Sequence, residues 1–257
     1  MQGAEALKKW IRRAWLAIIL APVAMVILSP IFLLIVWLPD IRHVYSYDLQ
    51  SLRSDGGHAV SGAAGTESGS LPLAGIPVRF QELFLAAEEP DFYARPPFNP
   101  VVNLVGEMAG ALPRRNSPTF SYQLTKWALL DTPMRQGKWK VEATLMDYRI
   151  EHELTKTEIF AAYLNGVVLA PGTRGVAGAA RFYFDKPLSD LDLAETVYLA
   201  AGARGGACVS QAIAERRSQF ILDRLVALGR IDAAQSAVAA EEIPTFRHDL
   251  PGCAPRR

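Results

Sequence analysis

Two adjacent carboxylates, Glu88 and Glu89, end an amphipathic stretch and are closely followed by the aromatic pair Phe92 and Tyr93. A carboxylate that aromatic neighbours partly shield from water binds a proton more readily, which suits it to general acid/base chemistry. The same residues also fit a plain, solvated helix terminus. The rest of the chain has to decide between a catalytic and a structural interpretation of Glu88.

Composition limits the class of protein. The 257 residues carry a formal net charge of +1, and 50% of them are hydrophobic. This length suits one globular domain of ordinary size with accessory segments. The balanced charge does not indicate a nucleic-acid-binding surface, so we expect no nucleic acid among the partners. The histidines have no cysteine or second histidine at metal-ligand spacing, so we expect no histidine-based metal site.

A membrane anchor is predicted near the N-terminus, where residues 15–38 contain no Asp, Glu, Lys or Arg. As a helix this segment would be about 36 Å long, enough to cross a hydrocarbon core of about 30 Å. Its length and its end at Trp37-Leu38-Pro39 favour a retained anchor over a cleaved signal peptide. Because residues 1–14 are basic, the positive-inside rule predicts a cytoplasmic N-terminal tail and export of everything that follows the span.

The exported part divides into three stretches. Residues 39–70 are predicted to be a juxtamembrane segment and a flexible linker, because residues 54–70 are rich in Gly, Ser and Ala. Apolar residues recur at helical spacing through residues 71–243, and the alternation typical of strands is scarce, so we predict a mostly α domain there. Residues 244–257 are expected to form a C-terminal tail.

Capping patterns predict several helix ends. Ser117 followed by Pro118 is typical of an N-cap residue with proline in the first helical turn. Capping-box spacing occurs in residues 155–158 and again in residues 192–195. A later helix is predicted to end at Gly229, since glycine often follows the last helical residue.

Five segments with chemistry-bearing residues follow one another along the chain. They contain Glu88, Phe92 and Phe98; Thr119, Gln123, Leu124 and Lys126; Lys138, Trp139 and Glu142; residues 154–165; and residues 175–195. In order and content they resemble the motifs of the peptidoglycan glycosyltransferase (transglycosylase) family, glycosyltransferase family 51, over roughly residues 73–232. This family includes the domain of bifunctional class A penicillin-binding proteins and the monofunctional membrane transglycosylases.

The resemblance implies a mostly α, lysozyme-like helical glycosyltransferase domain behind a single N-terminal transmembrane helix. It places the chain in the bacterial cytoplasmic (inner) membrane, with its domain in the periplasm or extracytoplasmic space. The implied substrates are lipid II and the nascent glycan strand. A divalent cation, Mg²⁺ or Mn²⁺, is implied with the diphosphate of lipid II, but no ligand set can be identified in the sequence.

The resemblance also implies roles for individual residues. Glu88 takes the place of the general base, and Glu142 that of a second carboxylate near the diphosphate. The residues assigned to substrate binding are Thr119, Gln123, Lys126, Lys138, Lys140, Arg95 and Asn165.

Two segments depart from the family pattern. In the first, Glu89 stands for an aspartate and Arg95 for a histidine. In the second, Asn116 and Ser117 replace two glycines, and Pro118 replaces a serine. Pro118 thereby removes a hydroxyl and a backbone N–H from a helix N-terminus, which is a place where phosphate oxygens bind.

Glu142 does not keep the family spacing. It lies one residue further from Lys156 than the family places its second carboxylate, and one residue turns a helix face by about 100°. Either a small bulge restores its position, or Glu142 is a surface residue paired with Lys138 at i,i+4. The basic residues Lys126, Lys138 and Lys140 either bind diphosphate or form a solvated charged face.

Two further features each have two interpretations. Residues 101–108 contain apolar side chains that form either a membrane-facing ledge or part of the core. Export would place Cys208 and Cys253 in an oxidising compartment, where they form a disulfide or stay apart.

Three functions are compatible with the sequence. An active glycosyltransferase is favoured by the retained Glu88, Gln123 and Lys126. A non-catalytic relative, which binds lipid II or scaffolds other cell-envelope proteins, is favoured by Pro118 and by the shifted Glu142. A lysozyme-like hydrolase would also use two carboxylates, but the anchor and the basic residues favour a lipid-diphosphate substrate. The short stretch after the domain is too small for a transpeptidase, so we expect no cross-linking activity.

Overall fold

The computed structural model describes residues 42–50, 52, 71–108, 119–129, 139–203 and 210–245. Several predictions concern residues outside these ranges, namely the N-terminal tail, the predicted span 15–38, the linker 54–70, Asn116, Ser117, Pro118, Lys138, Cys208, Cys253 and most of the C-terminal tail. Within the described ranges, no helix has the length and apolarity needed to cross a membrane.

The described residues form helices and contain no β-strand, which confirms the mostly α prediction. The α-helices are α1 (Arg42–Ser46), α2 (Val78–Glu88), α3 (Pro100–Met108), α4 (Phe120–Ala128), α5 (Trp139–Glu153), α6 (Lys156–Gly166), α7 (Gly175–Phe184), α8 (Leu193–Gly202), α9 (Gln211–Ala227) and α10 (Ala233–Glu242). Short 3₁₀ helices span Leu73–Gly75 and Leu188–Asp190.

Two groups of helices share one hydrophobic core. In the first, α2 contacts both α8 and α9, and α10 packs on these two. In the second, α4 packs against α5 and α6, and α6 packs against α7. Helix α7 also contacts α8 and so joins the groups. The turn that follows α2 therefore lies between the two groups.

An aromatic cluster fixes this turn. Phe92 is completely buried, and its ring meets that of Phe120 edge-on at a centroid distance of 5.0 Å. Phe120 also contacts Phe160 at 5.1 Å and Tyr163 at 4.5 Å. Edge-to-face and tilted contacts of this kind stabilise aromatic pairs beyond the area that they bury. The cluster holds the residues after Glu88 against α4 and α6.

The capping predictions are mostly confirmed. Both capping boxes are present, with Thr155 and Asp192 as the N-cap residues of α6 and α8. The predicted end of α9 is also confirmed, because the N–H of Gly229 donates to the carbonyl of Val226 at 2.9 Å. The prediction for α4 was wrong: its N-cap is Thr119, whose hydroxyl accepts from the N–H of Tyr122 at 3.2 Å.

The stretch before the predicted linker packs on the domain. Val44, Leu49 and Leu52 are at most 5% exposed. Helix α1 lies against α5, where Arg149 donates to the backbone carbonyls of Val44 and Tyr47. Part of the predicted juxtamembrane segment, residues 39–70, therefore contributes to the core.

Gly175 occupies a position that no other residue fits. Its φ angle is +73°, and a Cβ atom there would lie 2.6 Å from the carbonyl oxygen of Asn165. Its N–H donates to the carbonyl of Val167 at 2.8 Å. The close approach lets α7 start directly against the end of α6.

We therefore expect Gly175→Ala to lower the free energy of unfolding by about 2–4 kcal/mol, a drop in Tm of about 5–15 °C. Gly172→Ala is the matched control, because Gly172 has a φ of +69° but nothing within 4 Å of the added carbon. It should cost only about 1–2 kcal/mol of backbone strain. Thermal and denaturant unfolding measure both variants, and equal losses would contradict the steric explanation.

Candidate active site

Glu88 is the last residue of α2, and its side chain is buried. One of its carboxylate oxygens, Oε1, accepts a hydrogen bond from Nη2 of Arg217 in α9 at 2.6 Å. The Nε of Arg217 donates to the carbonyl of Ala201 at 2.8 Å, which fixes the guanidinium. A charge-assisted pair of this geometry orients the carboxylate and compensates its charge away from water. The interpretation of Glu88 as a solvated helix terminus was wrong.

Sequence reasoning missed Arg217. The signal is its position in α9, three residues after Ala214 and four before Ile221, both of which are buried. An arginine on the apolar face of a helix needs a carboxylate or a carbonyl partner. The pattern therefore indicates a buried ion pair, although it does not identify Glu88 as the partner.

A second set of charges lies beside Glu88. The guanidinium of Arg95 contacts the carboxylates of Glu89 and Glu151, with Nη1 donating to Oε2 of Glu151 at 3.0 Å. Glu151 also accepts from the hydroxyl of Ser121 at 2.6 Å and from Nζ of Lys156 at 3.0 Å. These five residues, the charge network from here on, connect the turn after α2 to helices α4, α5 and α6.

The charge network alters the acidity of its members. Burial alone would raise the pKa of Glu151, but hydrogen bonds from Arg95, Ser121 and Lys156 outweigh it and lower the pKa to about 2. Burial also acts to lower the pKa of Arg95, but its pairing with Glu151 and Glu89 raises the pKa overall. Burial lowers the pKa of Lys156 despite its bond to Glu151. The network therefore depends on an ionised Glu151.

The stability of the protein should follow the titration of Glu151. Since its pKa is depressed in the folded state, the stabilisation of about 3 kcal/mol is complete above pH about 4.5 and is lost as the pH falls through about 2. We expect Glu151→Gln to lower the free energy of unfolding at pH 7 and the deficit to shrink between pH 5 and pH 2. Urea unfolding across this range measures it. Glu241→Gln, at an exposed position, is the control, and a deficit independent of pH would contradict this assignment.

Three predicted binding residues lie on α4. Thr119 caps the helix, and Gln123 is 5% exposed, with no acceptor for its Nε2 among the described residues. The Nζ of Lys126 lies 5.9 Å from the centroid of the Tyr122 ring. The N-terminus of α4 already has protein acceptors, because the N–H of Phe120 donates to Glu89 at 2.9 Å. Roles in substrate binding stay predictions for Thr119, Gln123 and Lys126.

The structure bears on the position of Glu142, while its predicted pairing with Lys138 lies outside the described residues and its role near the diphosphate stays a prediction. Helix α5 runs without interruption from Trp139 to Glu153, so the bulge that was one of the two alternatives is absent from this described helix. Glu142 is also not a surface residue, since it is 7% exposed in the first turn of α5. Lys140 is exposed on the same helix. Glu88 thus lies against α9, and Glu142 lies on a helix that packs against α4.

Asn165 joins two parts of the backbone. Its Oδ1 accepts from the N–H of Leu71 at 2.9 Å, and its Nδ2 donates to the carbonyls of Leu71 at 2.8 Å and Ala161 at 2.9 Å. These bonds use both polar atoms of the side chain and attach the start of the domain to α6. The predicted role of Asn165 in substrate binding stays a prediction.

The valines of the predicted ledge are exposed. Val101 is 68%, Val102 58% and Val105 59% exposed on α3, so these three do not fill a core.

The described residues contain no group of three or more His, Cys, Asp or Glu side chains that could hold a metal ion.

Comparisons with known proteins agree with the sequence motifs. The family model described as Transglycosylase matches residues 57–226. Penicillin-binding protein 1A of Pseudomonas aeruginosa is 30% identical over 216 residues, which cover 80% of this chain and 26% of the relative. A candidate transglycosylase of Cupriavidus necator is 31% identical over 176 residues, 64% of this chain and 74% of the relative. The chain thus spans about a quarter of the length of the Pseudomonas aeruginosa relative.

A solved structure also aligns with the chain. Penicillin-binding protein 1A from Haemophilus influenzae gives a TM-score of 0.39 and 19% identity, covering 70% of this chain and 18% of that chain. This likeness is too low for a comparison of site geometry.

Proposed function

Since this chain belongs to the transglycosylase family, we propose that it is a peptidoglycan glycosyltransferase that polymerises lipid II, with Glu88 as the general base. The observation that supports this assignment best is the buried carboxylate of Glu88, oriented by Arg217 at 2.6 Å and located at the motif position of the base. Transfer is favoured over hydrolysis because the matched family is one of transglycosylases.

In the proposed reaction, the 4-hydroxyl oxygen of the acceptor sugar attacks the anomeric carbon of the donor. The new glycosidic C–O bond forms as the bond to the polyprenyl diphosphate breaks, and the leaving diphosphate takes the bonding electrons. Glu88 accepts the proton of the hydroxyl, which is general-base catalysis. The cations Lys126 and Lys140 are proposed to lie toward the departing diphosphate, where positive charge stabilises the developing negative charge.

The reaction needs a domain close to the lipid surface. We propose that residues 15–38 anchor the chain in the bacterial cytoplasmic membrane, with the N-terminus in the cytoplasm and the domain outside. The exposed valines of α3 support a membrane-facing ledge, because exposed apolar side chains on a helix gain free energy at the lipid boundary.

A divalent cation remains a proposal. Mg²⁺ commonly binds through one or two carboxylates together with substrate phosphates, so it can arrive with the diphosphate of lipid II. Such an ion would neutralise phosphate charge. In the reaction proposed above, Glu88 deprotonates the sugar hydroxyl, and Lys126 and Lys140 stabilise the charge of the diphosphate.

One observation favours a second function, that of a non-catalytic relative that binds lipid II or scaffolds other proteins in a cell-envelope complex. Glu89 accepts from the first N–H of α4, so a carboxylate lies where a helix N-terminus would otherwise bind a phosphate. Weak diphosphate binding would slow transfer without changing the fold.

The two functions predict different results with purified lipid II. The detergent-solubilised protein is incubated with fluorescent lipid II, and binding and glycan-strand formation are measured in parallel, with and without Mg²⁺ or Mn²⁺. The enzyme converts monomer into strands. A relative that only binds lipid II retains the monomer unchanged. No binding under any condition would contradict both transfer and lipid II binding and would leave the scaffolding role.

A further inference from the structure

Arg95 joins two carboxylates that come from distant parts of the chain. Its Nε donates to Glu89, and its two terminal nitrogens donate to the two carboxylate oxygens of Glu151, with Nη1 at 3.0 Å from Oε2. Nη1 also donates to the carbonyl of Pro96 at 3.1 Å. The side chain of Arg95 is 15% exposed and that of Glu151 is 0% exposed. The planar guanidinium therefore fixes both partners with little access for water.

Each carboxylate continues the connection into a helix. Glu89 accepts from the N–H of Phe120, the first residue of α4, at 2.9 Å. Glu151 lies in α5 and accepts from Ser121 of α4 and from Lys156, the first residue of α6. Arg95 thus lies where the turn after Glu88 meets three helices.

From this geometry we propose that Arg95 is a positioning residue for Glu88, an inference that rests on the proposed function. Glu89 is the C-cap of α2 and directly follows Glu88, so the contacts that hold Glu89 also restrict movement of the backbone that carries Glu88. Arg95 and Phe120 hold the Glu89 carboxylate from two sides. A misplacement of about 1 Å at a reacting group can lower the rate about 100-fold.

Arg149 offers a matched control. Its side chain is 11% exposed, it donates to both carboxylate oxygens of Glu153, and it contacts the backbone of α1. It therefore resembles Arg95 in its own burial and in its two-pronged pairing, but its partner Glu153 is 48% exposed and the pair lies at the contact between α1 and α5. Replacing either arginine with lysine keeps the charge and removes the planar pair of donors.

The first experiment compares Arg95→Lys with Arg149→Lys in the full-length protein. Arg95→Lys should lower kcat for lipid II about 10- to 100-fold with little change in KM, whereas Arg149→Lys should lower only Tm. Equal kcat in both variants would overturn the proposal and leave Arg95 with a purely structural role.

Amide hydrogen exchange separates this inference from the proposed function. Loss of the Arg95 contact should speed exchange of the Phe120 amide, which donates to Glu89, and Arg149→Lys should leave it unchanged. If the wild-type protein fails to polymerise lipid II but this exchange responds, the proposed function fails and the geometric assignment stands. Unchanged exchange at Phe120 would overturn the assignment whether or not the protein is active.

Arg95→His allows a measurement, the pH dependence of kcat, that would not change if Arg95 had only a structural role. The carboxylates of Glu89 and Glu151 favour a charged imidazole and the ammonium of Lys156 opposes it, so a histidine here makes the charge that holds Glu89 dependent on pH. The kcat of this variant, relative to wild type, should fall as the pH rises from 6 to 8, while the ratio for Arg149→His stays constant. A constant ratio for Arg95→His would overturn the proposal.

Discussion

Glu88→Gln is expected to lower the rate of lipid II polymerisation by about 100- to 10,000-fold, which is the usual effect of removing a general base. The amide of glutamine has nearly the shape of the carboxylate but accepts no proton at neutral pH. It can still accept a hydrogen bond from Arg217. The fold should therefore survive, and kcat should fall more than the affinity for lipid II.

Glu195→Gln is the control for this variant. Glu195 is also a buried glutamate, its Oε1 accepts from Lys186 at 2.7 Å, and it lies in the capping box of α8. The Glu195→Gln protein should be less stable than the wild type and should keep its activity. A Glu88→Gln protein that is folded and retains most of the wild-type rate would show that Glu88 is not the base.

Arg217→Met should have the second largest effect. Removing one partner of a buried ion pair leaves the other charge uncompensated, which typically costs about 3–5 kcal/mol. Because Arg217 joins α9 to the end of α2 and also to the carbonyl of Ala201, the loss should appear as an early unfolding transition in urea. The activity of the folded fraction should also fall about 10-fold or more, since the carboxylate loses its orientation.

A second arginine connects the same two helices at the surface. Arg230, just after α9, donates to Glu82 of α2 at 2.9 Å, but the two side chains are 53% and 41% exposed. Arg230→Met should therefore cost less than about 1 kcal/mol and leave the activity unchanged. Similar losses of unfolding free energy for the two methionine variants would contradict the importance of burial.

The double variant Glu88→Gln with Arg217→Met should lose less unfolding free energy than the sum of the two single losses, because the two residues interact directly.

Helix boundaries were predictable where the signal is local. The capping boxes at Thr155 and Asp192 involve only four consecutive residues, and both form as expected. The start of α4 was harder to predict, because Ser117 and Thr119 are both good N-cap residues and spacing alone cannot rank them. The structure shows Thr119 in this role, with its hydroxyl accepting from Tyr122.

The contacts of the candidate site were less predictable because its partners lie far apart in sequence. Glu88 and Arg217 are 129 positions apart, and Arg95 and Glu151 are 56 apart. The local pattern of α9 indicates that Arg217 has a buried partner, but it does not identify a residue 129 positions away. The motif order predicts Glu88 as the general base, and its burial and its arginine partner come from the structure.

The shifted Glu142 shows the limit of motif spacing. A single residue of displacement in an uninterrupted helix changes which face a side chain occupies, and α5 continues without a bulge through this position. For Asn165 the motif match is strong, but its side chain binds the backbone of Leu71 and Ala161. Motif residues can thus preserve the scaffold of a site as well as its chemistry.

The most direct test of Glu88 as the general base is the release of polyprenyl diphosphate from purified lipid II, followed over time for the wild-type protein and Glu88→Gln. If Glu88 is the base, the wild type should release polyprenyl diphosphate steadily as glycan strands grow, and the variant should release almost none at equal lipid II binding. Release at similar rates from both proteins, or from neither in any detergent and with any divalent cation, would contradict it.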